Sequence, residues 1–343
     1  MLFKLQINGQ ARAVLVLLLL MLVVSGCGAA ANGTGGASPG QSSASPAAGE
    51  STQPTAEANA AGSTENRTFK HAMGETVVPP NPQKVVVLDN GALDNILALG
   101  VKPVGAPSII SVDDGFATYL TGTDGITNIG TVEQPSLETI ASLKPDVIIG
   151  IKDTQEAIYE QLSQIAPTVF TEVGGAQWEA NLAVHAAIVG KEAEGKKLIE
   201  QFDAHIAELH AKLGDSLNTT EVSLLRPRKD RVSVYLKPSF TGGVVERAGI
   251  KRPAVQSGDD DFNFNATEEQ IADLDGDVII LFGRESEQEY FEQKIKSNPL
   301  WNTLKGVQND RVYVASWEVW LSGHGIQAVN LMIDDLAKFL VKA

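Results

Sequence analysis

Two stretches of fifteen residues decide the fold: Ser136–Gly150, SLETIASLKPDVIIG, and Thr267–Leu281, TEEQIADLDGDVIIL. Aligned at a constant offset of 131 residues, they are identical at eight of fifteen positions. In each copy a short helical pattern leads into the apolar strand pattern Asp-Val-Ile-Ile. A match of this extent at one fixed spacing indicates an internal duplication and therefore two similar α/β lobes.

Helix and strand patterns alternate around both copies. Apolar strands that alternate with helices are typical of mostly parallel sheets covered on both faces. The predicted strands are Lys84–Leu88, Asp146–Ile151, Thr168–Thr171, Val222–Leu225, Arg231–Leu236, Val278–Phe282 and Arg311–Ala315, and the predicted helices are Ala92–Leu99, Glu156–Ile165, Gly243–Ala248 and Gly325–Val341.

The longest helical pattern lies between the two halves, from about Glu192 to Leu213. Its apolar residues recur at spacings of four and three and form one stripe, Leu198, Phe202, Ile206, Leu209 and Leu213. A single long helix would join the lobes stiffly, so limited hinge closure is expected. Loops at the strand ends would line a cleft between the lobes, where α/β folds usually bind ligands.

The N-terminus has the pattern of a bacterial lipoprotein. Lys4 and Arg12 precede the apolar run Ala13–Val24, which is too short to span a bilayer and ends in Val-Ser-Gly-Cys27. We expect cleavage before Cys27 and lipid attachment to its thiol, which would hold the protein on the outer face of a membrane. An ordinary signal peptide with a chance cysteine is the alternative. Because Cys27 is the only cysteine, a disulfide within the chain is excluded.

Composition divides the chain into five predicted segments: a signal peptide (1–26), the lipidated cysteine with a Gly/Ser/Ala/Pro linker that is too polar to bury a core (27–66), an N-terminal lobe (67–190), a connecting helix (191–214) and a C-terminal lobe (215–343). Loss of Lys4 and Arg12 with the signal peptide takes the formal net charge from −15 to −17. Such acidity argues against nucleic-acid binding and against adhesion to anionic lipids. A few converged arginines would still permit an anionic small ligand.

Several segments together resemble one known family. They are Lys84–Pro107, Gly130–Gly150, the linking helix, Val222–Tyr235, Ser239–Pro253 and Trp320–Leu340, and the most specific motifs are SLETIASLKPDVII, VSLLRPRKDRVSVY and AVNLMIDDLAKFL. The chain resembles the iron-siderophore cluster of the periplasmic-binding-protein fold, whose members are substrate-binding subunits of ABC importers. The likeness is strongest to Gram-positive lipoproteins for hydroxamate, citrate-hydroxamate or ferric-dicitrate ligands.

The resemblance implies an α/β fold of two Rossmann-like lobes with mostly parallel sheets, joined by a single long helix. It implies a binding protein and not an enzyme, lipid-anchored on the extracellular face of the cell membrane. The expected ligand is an Fe(III)-siderophore complex whose iron is held by the siderophore, so that no cofactor and no metal-ligating residue is expected. The expected partners are an ABC permease dimer and its ATPase.

The resemblance also places candidate ligand residues on the C-terminal lobe. Arg226 stands where the family has a ligand-binding arginine, at the end of the lobe's first strand. Arg228 and Lys237 are further candidate cations, and Tyr235 has a hydroxyl for the ligand. Each of these residues also has a simpler explanation: the cations could be solvated surface charges, and the Tyr235 ring could merely pack beside the strand.

Other candidates lie on predicted loops at the cleft. Trp317 and Trp320 follow a strand and would form a stacking wall, with His324 as a polar contact close by. On the N-terminal lobe, Asn90 lies at a strand-to-helix turn and has an amide for the ligand, although turn chemistry alone would explain it. Where many citrate binders have an Arg-His pair, this chain has Thr154-Gln155. Fewer N-lobe cations make ferric dicitrate a less secure choice.

The two copies of the repeat each carry a glutamate at the same place, Glu138 and Glu269. In the family, acidic residues at these places dock onto arginines of the permease, and a pseudo-symmetric pair suits a dimeric transporter. The alternative is that glutamate is simply favoured in the first turn of a helix.

Three rival functions stay open. An enzyme is disfavoured because the sequence has no G-x-S-x-G, G-x-G-x-x-G, Walker or H-E-x-x-H motif. The five histidines are scattered, and His205 and His210 fall on the linking helix, where we expect them to be solvated. Haem or cobalamin binding is an alternative, with Tyr235 and His324 as candidate axial ligands for haem. A non-transport surface lipoprotein is the third possibility.

Overall fold

The computed structural model describes residues 65–110, 113 and 115–341. The predicted signal peptide, the lipidation site Cys27 and nearly all of the predicted linker lie outside these residues. Between Glu65 and Val341 the chain forms an N-terminal hairpin followed by two five-stranded sheets with helices on both faces. No helix of the described part is both long enough and apolar enough to cross a membrane.

The first sheet is wholly parallel and has the strand order β5-β4-β3-β6-β7. The hairpin strands are β1 (Arg67–His71) and β2 (Gly74–Val78), and the sheet strands are β3 (Val85–Val87), β4 (Gly105–Ser108), β5 (Thr127–Thr131), β6 (Val147–Ile151) and β7 (Thr168–Thr171). Every residue of β3 is buried because helices cover both faces of the sheet. The helices of this lobe are α1 (Asn90–Ala98), α2 (Leu137–Leu143), α3 (Lys152–Gln155), α4 (Tyr159–Ser163) and α5 (Trp178–Ile188).

The second sheet is mixed, with the order β10-β9-β8-β11-β12. Its strands are β8 (Val222–Pro227), β9 (Val232–Tyr235), β10 (Asn263–Ala266), β11 (Val278–Leu281) and β12 (Val312–Val314). Strands β8, β11 and β12 are parallel, whereas β9 runs antiparallel to both of its neighbours. Its helices are α7 (Phe240–Arg247), α8 (Lys305–Gln308), α9 (Trp317–Trp320) and α10 (Ile326–Leu340), with a π-helical segment at Phe291–Lys296.

A single helix, α6 (Glu192–Leu213), joins the two sheets as predicted. Phe202, Ile206, Leu209 and Leu213 of its apolar stripe are buried, and they belong to one continuous core that reaches both sheets. The predicted fold class, two α/β lobes with mostly parallel sheets and one connecting helix, is therefore confirmed.

The repeat has the same role in both lobes. Strand β6 lies beside the central strand β3, and β11 lies beside the central strand β8. Asp146 accepts hydrogen bonds from the backbone of Gln83 and Lys84, and Asp277 accepts one from the backbone of Glu221. Each aspartate of the repeat thus fixes the start of the neighbouring central strand, which explains why the duplication kept it.

The structure corrects some predicted helices. The second copy of the repeat forms only a 3-10 turn, Ile271–Leu274, after which the carboxylate of Asp275 accepts hydrogen bonds from the backbone N–H groups of Gly276 and Lys305. The predicted helix Glu156–Ile165 is three short pieces that begin at Lys152. Helix α7 begins three residues earlier than predicted, since Ser239 caps it.

The lobes also touch directly, through side chains of α1 that cap α10. The Asp94 carboxylate accepts the N–H of Gln327 at 2.8 Å and that of Ala328 at 3.0 Å, and Asn95 accepts the N–H of Ile326 at 2.9 Å. Tyr119 adds a third donor to Asp94 at 3.0 Å. Burial raises the pKa of Asp94 to about 7 although these donors oppose the shift. A helix of one lobe capped by the other supports the expectation of limited hinge closure.

His205 and His210 are half-buried and each has hydrogen-bond partners, so they are not freely solvated as predicted. The His205 ring contacts Asn330 and Asp334 of α10, at 3.0 and 3.1 Å. His210 contacts the carbonyl of Ala248 at 2.8 Å. Both side chains help to pack the linking helix against the C-terminal lobe, a role that the periodicity of one helix does not reveal.

His185 of α5 is expected to make stability depend on pH. It is buried beside Asn95, at 3.2 Å, and burial lowers its pKa from 6.5 to about 3. Below about pH 6.5 the unfolded chain binds a proton that the folded protein excludes, so stability is lost as the pH falls toward 3, by about 1.4 kcal/mol per pH unit. The unfolding free energy of the wild type minus that of His185→Gln should therefore fall by about 2 kcal/mol between pH 6.5 and 5. An equal difference at both pH values in urea titrations would contradict this.

Candidate functional site

The two lobes meet at the carboxyl ends of their parallel strands. Gly91, after β3, lies so close to His324 that a side-chain Cβ there would be 2.8 Å from the His324 carbonyl oxygen. Gly175, after β7, contacts Phe240 at the start of α7, and a Cβ there would lie 3.2 Å away. The cleft that the sequence predicts between the lobes would lie beside these contacts, with the loops that follow the strands as its walls.

Two predicted residues come together on the C-lobe wall. Arg226, at the end of β8, donates from Nη1 to the Tyr235 hydroxyl at 3.1 Å. Its Nη2 donates to both carboxylate oxygens of Glu287, at 3.2 and 3.4 Å. Arg284, which follows β11, donates from Nη2 to the same carboxylate at 3.0 Å. We call Arg226, Tyr235, Arg284 and Glu287 the arginine cluster.

The arginine cluster carries two positive charges and one negative charge in a largely buried place. The side chains of Arg226 and Glu287 are 11% and 10% exposed, and that of Arg284 is 34% exposed. Burial alone would raise the pKa of Glu287, but Arg226 and Arg284 outweigh it, so the pKa lies below its ordinary value. The Nε atoms of both arginines have no hydrogen-bond partner among the described residues. The cluster thus has a net positive charge and unused donors.

Sequence reasoning missed Arg284 and Glu287. A signal for Arg284 was present, because it comes two residues after the predicted strand Val278–Phe282, which begins in the second copy of the repeat. Charged residues directly after a buried parallel strand fall at the ligand-binding edge of such a sheet. The acidic partner was harder to find, since only the 3-10 turn Glu285–Glu287 brings its carboxylate back to Arg226.

The other two predicted cations lie apart from the arginine cluster. Lys237 forms ion pairs with Glu246 at 3.6 Å and with Asp259 at 3.3 Å, and these two carboxylates raise its pKa. All three line a surface cavity of about 420 Å³ beside α7. Arg228 is half-buried on the β8–β9 turn, where its backbone binds Arg231. Their contact with a ligand stays a prediction.

The tryptophans differ in exposure. Trp320 is 0% exposed, its indole N–H donates to Asp335 at 2.9 Å, and its ring lies against Phe282. The predicted stacking of Trp320 on a ligand has no exposed ring surface in this conformation, because α9 turns the side chain into the core. Trp317, one turn earlier, is only half-buried.

His324 lies at the base of the cleft. Its backbone is left-handed, with φ of 59°, and its ring packs edge-on against Phe240 at 4.8 Å between centroids. Burial lowers its pKa to about 4, so the ring is neutral at pH 7. A neutral imidazole here suits a polar contact from below, although its direct contact with a ligand stays a prediction.

The N-lobe wall has few unpaired charges. Asn90, the first residue of α1, is half-buried and has no hydrogen-bond partner among the described side chains. Gln155 is buried and ties three strand ends together through Ile151, Leu88 and Val132. Lys152, after β6, pairs with Glu172 at 3.6 Å. Gln155 therefore has a structural role at the place where the resemblance would imply a cation.

Glu138 and Glu269 are both exposed, and neither forms an ion pair within the described residues. Glu138 lies in the first turn of α2, where the helix macrodipole favours a glutamate. Glu269 lies in a turn before the 3-10 segment, outside any helix. Helix preference therefore does not explain Glu269. Within the described residues, no three or more His, Cys, Asp or Glu side chains are grouped to hold a metal ion.

Comparison with known proteins places this geometry in a family. The family model described as periplasmic binding protein matches residues 85–317. The chain is 38% identical to the probable siderophore-binding lipoprotein YfiY of Bacillus subtilis, over 82% of this chain and 89% of that protein. It is 32% identical to the Fe(3+)-citrate-binding protein YfmC of the same organism, over 94% of each chain.

A solved structure agrees with the fold. Staphylococcus aureus SirA, crystallised with staphyloferrin B, superposes with a TM-score of 0.69 at 29% identity and covers 80% of this chain and 98% of its own. Bacillus subtilis YclQ, a petrobactin-binding protein, gives a TM-score of 0.69 at 25% identity, over 81% of this chain and 100% of its own. From the family match and these relatives, the chain belongs to the periplasmic binding protein family.

Proposed function

We propose that this protein captures a ferric siderophore in its interlobe cleft and delivers it to an ABC importer. The observation that carries the proposal is the arginine cluster at the carboxyl ends of β8 and β11. A ferric siderophore surrounds its iron with its own oxygen ligands, so its binding protein needs donors and aromatic surface and does not need metal ligands. Arg226 and Arg284 supply donors, buried Tyr235 holds Arg226 in place, and Trp317 supplies aromatic surface.

The relatives support this assignment. YfiY is described as a probable siderophore-binding lipoprotein and YfmC as an Fe(3+)-citrate-binding protein. SirA was crystallised with staphyloferrin B. The protein binds its ligand without transforming it, and α6 with the Asp94 contacts limits the lobe movement that accompanies binding. Lipid on Cys27 would keep the loaded protein on the extracellular face of the membrane, near a permease dimer and its ATPase.

A fluorescence titration tests the proposal. Half-buried Trp317 follows β12 at the carboxyl end of the second sheet, and a ferric complex quenches a nearby indole. Ferric complexes of the hydroxamate, citrate, citrate-hydroxamate and catecholate classes would be added in turn, with haem and cobalamin as the alternative ligands. We expect quenching by at least one ferric siderophore at micromolar concentration. Quenching by haem or cobalamin alone would replace the siderophore with that ligand, and no quenching by any compound would sink the proposal.

The exposed pair Glu138 and Glu269 is proposed to dock onto the permease. The double variant Glu138→Ala with Glu269→Ala should leave ligand affinity unchanged and reduce iron uptake by about tenfold or more, because two complementary charge contacts are lost. Uptake of radioactive iron in cells would measure it. The control replaces Glu160 and Asp260, exposed acids of the two lobes, and should leave uptake normal. Normal uptake in the first variant would exclude the docking role.

A further inference from the structure

The arginine cluster already holds a carboxylate, and it belongs to the protein itself. Glu287 receives both bonds of the Arg226 Nη2 and one bond of Arg284, at 3.0 to 3.4 Å. Two guanidinium groups that converge on one carboxylate form the arrangement by which arginines recognise the carboxylate of a ligand. The distances therefore describe a carboxylate site that is filled from within the chain.

The site can exchange its occupant. Glu287 lies on a three-residue 3-10 turn, which follows a strand end and is not part of a long helix. Arg226 is held independently by the Tyr235 hydroxyl, so it keeps a partner when Glu287 moves away. The Nη2 groups of Arg226 and Arg284 that now hold Glu287 would bind an incoming carboxylate in its place, because a guanidinium presents its N–H donors in a planar fork.

We propose that Glu287 occupies the place of a ligand carboxylate in the unloaded protein, and that the cleft selects ferric complexes which carry an exchangeable carboxylate. This inference rests on the proposed function and names its ligand class. Unpaired arginines would attract any anion, whereas Glu287 must first be displaced. Only a ligand that restores the carboxylate bonds compensates for the displacement, which is how a competing group produces specificity. A neutral ferric trishydroxamate and a ferric triscatecholate lack that group.

The test compares Glu287→Gln with a matched control, Glu285→Gln. Glu285 lies on the same turn, is exposed and does not contact either arginine, so the control removes the same charge. Calorimetry would use iron-free citrate, ferric dicitrate, a ferric trishydroxamate and a ferric triscatecholate. Glu287→Gln should increase the affinity for citrate and for ferric dicitrate by about ten- to a hundredfold, because the competing carboxylate of Glu287 is gone. The trishydroxamate should change by less than about twofold, and the control should match the wild type for every probe.

Each outcome is decisive. Weaker binding of citrate by Glu287→Gln, or an equal gain for the triscatecholate and for citrate, would overturn the carboxylate assignment. If the gain for citrate appears while no ferric complex binds the wild type, the proposed function fails and the carboxylate site stands. If ferric complexes bind the wild type while Glu287→Gln does not raise the affinity for citrate, the proposed function stands and the carboxylate site fails. If Glu287→Gln unfolds at a lower temperature than the wild type, Glu287→Asp serves instead. It keeps the charge on a shorter side chain and should raise the affinity for citrate by about threefold.

Discussion

Replacing Arg226 by alanine is expected to weaken the binding of a ferric siderophore by about a hundredfold. The variant loses the guanidinium that joins the Tyr235 hydroxyl to the Glu287 carboxylate at the cleft edge of β8. Glu287 would then pair with Arg284 alone, and the net charge of the arginine cluster would fall from positive to neutral. Binding of the best ferric complex, followed by quenching of tryptophan fluorescence, gives the measurement.

Two further variants separate charge from geometry in this experiment. Arg226→Lys keeps the charge but not the planar fork, so it should recover only part of the affinity. Arg231→Ala removes an arginine from the same β8–β9 turn, where the guanidinium binds Asp230 and Asn265, and should bind as the wild type does. If Arg226→Ala keeps full affinity for the ferric complex, Arg226 is not part of the binding site. If Arg231→Ala loses as much affinity as Arg226→Ala, the loss comes from long-range charge and not from a contact of Arg226.

Replacing Asp94 by alanine is expected to lower the free energy of unfolding by about 3 kcal/mol. Asp94 is 0% exposed, and its carboxylate accepts the first backbone N–H groups of α10 and the hydroxyl of Tyr119. Without it, these buried donors lose their acceptor at the junction of the lobes. Urea unfolding near pH 7.5 would measure the loss.

A surface contact between the same two lobes provides the control. Glu318 of α9 accepts hydrogen bonds from the backbone and hydroxyl of Thr118 at 2.7 and 2.5 Å, in a place open to solvent. Glu318→Ala should cost less than about 1 kcal/mol, because water replaces the lost partner. A loss in Asp94→Ala no larger than that in Glu318→Ala would mean that the cap of α10 contributes little to joining the lobes.

The sequence predicted the lobes because their signals are local. The repeat, the strand patterns and the stripe of α6 are each contained in a few turns or one strand, and they appear in the structure except for the helix of the second repeat copy, which is a 3-10 turn. The predicted start of α10 differs from the observed start by one residue, but the residues that cap the helix could not be predicted. Gly325 has no capping side chain, and the acceptors come from Asp94 and Asn95, more than 200 positions away. Periodicity within a helix carries no information on such a partner.

The candidate site was predicted in part for a similar reason. Arg226 and Tyr235 were named from the sequence and lie in contact, since adjacent strands bring them together. Trp320 was named for its aromatic ring, but the short helix α9 turns it inward and leaves Trp317 nearer the surface. Arg284 and Glu287 join the cluster through a loop, whose path depends on tertiary contacts. Residue type identified Arg226 and Tyr235 as candidates, and loop conformation decided which other residues contact them.

The most direct measurement of the central claim is a crystal structure with the best-binding ferric complex, in which iron is located by its anomalous scattering. We predict one iron peak between the carboxyl ends of the two sheets. Its coordination sphere should consist of siderophore oxygens, and Arg226 and Arg284 should donate to the ligand. An iron atom held directly by protein side chains, or a ligand bound away from the arginine cluster, would contradict the account.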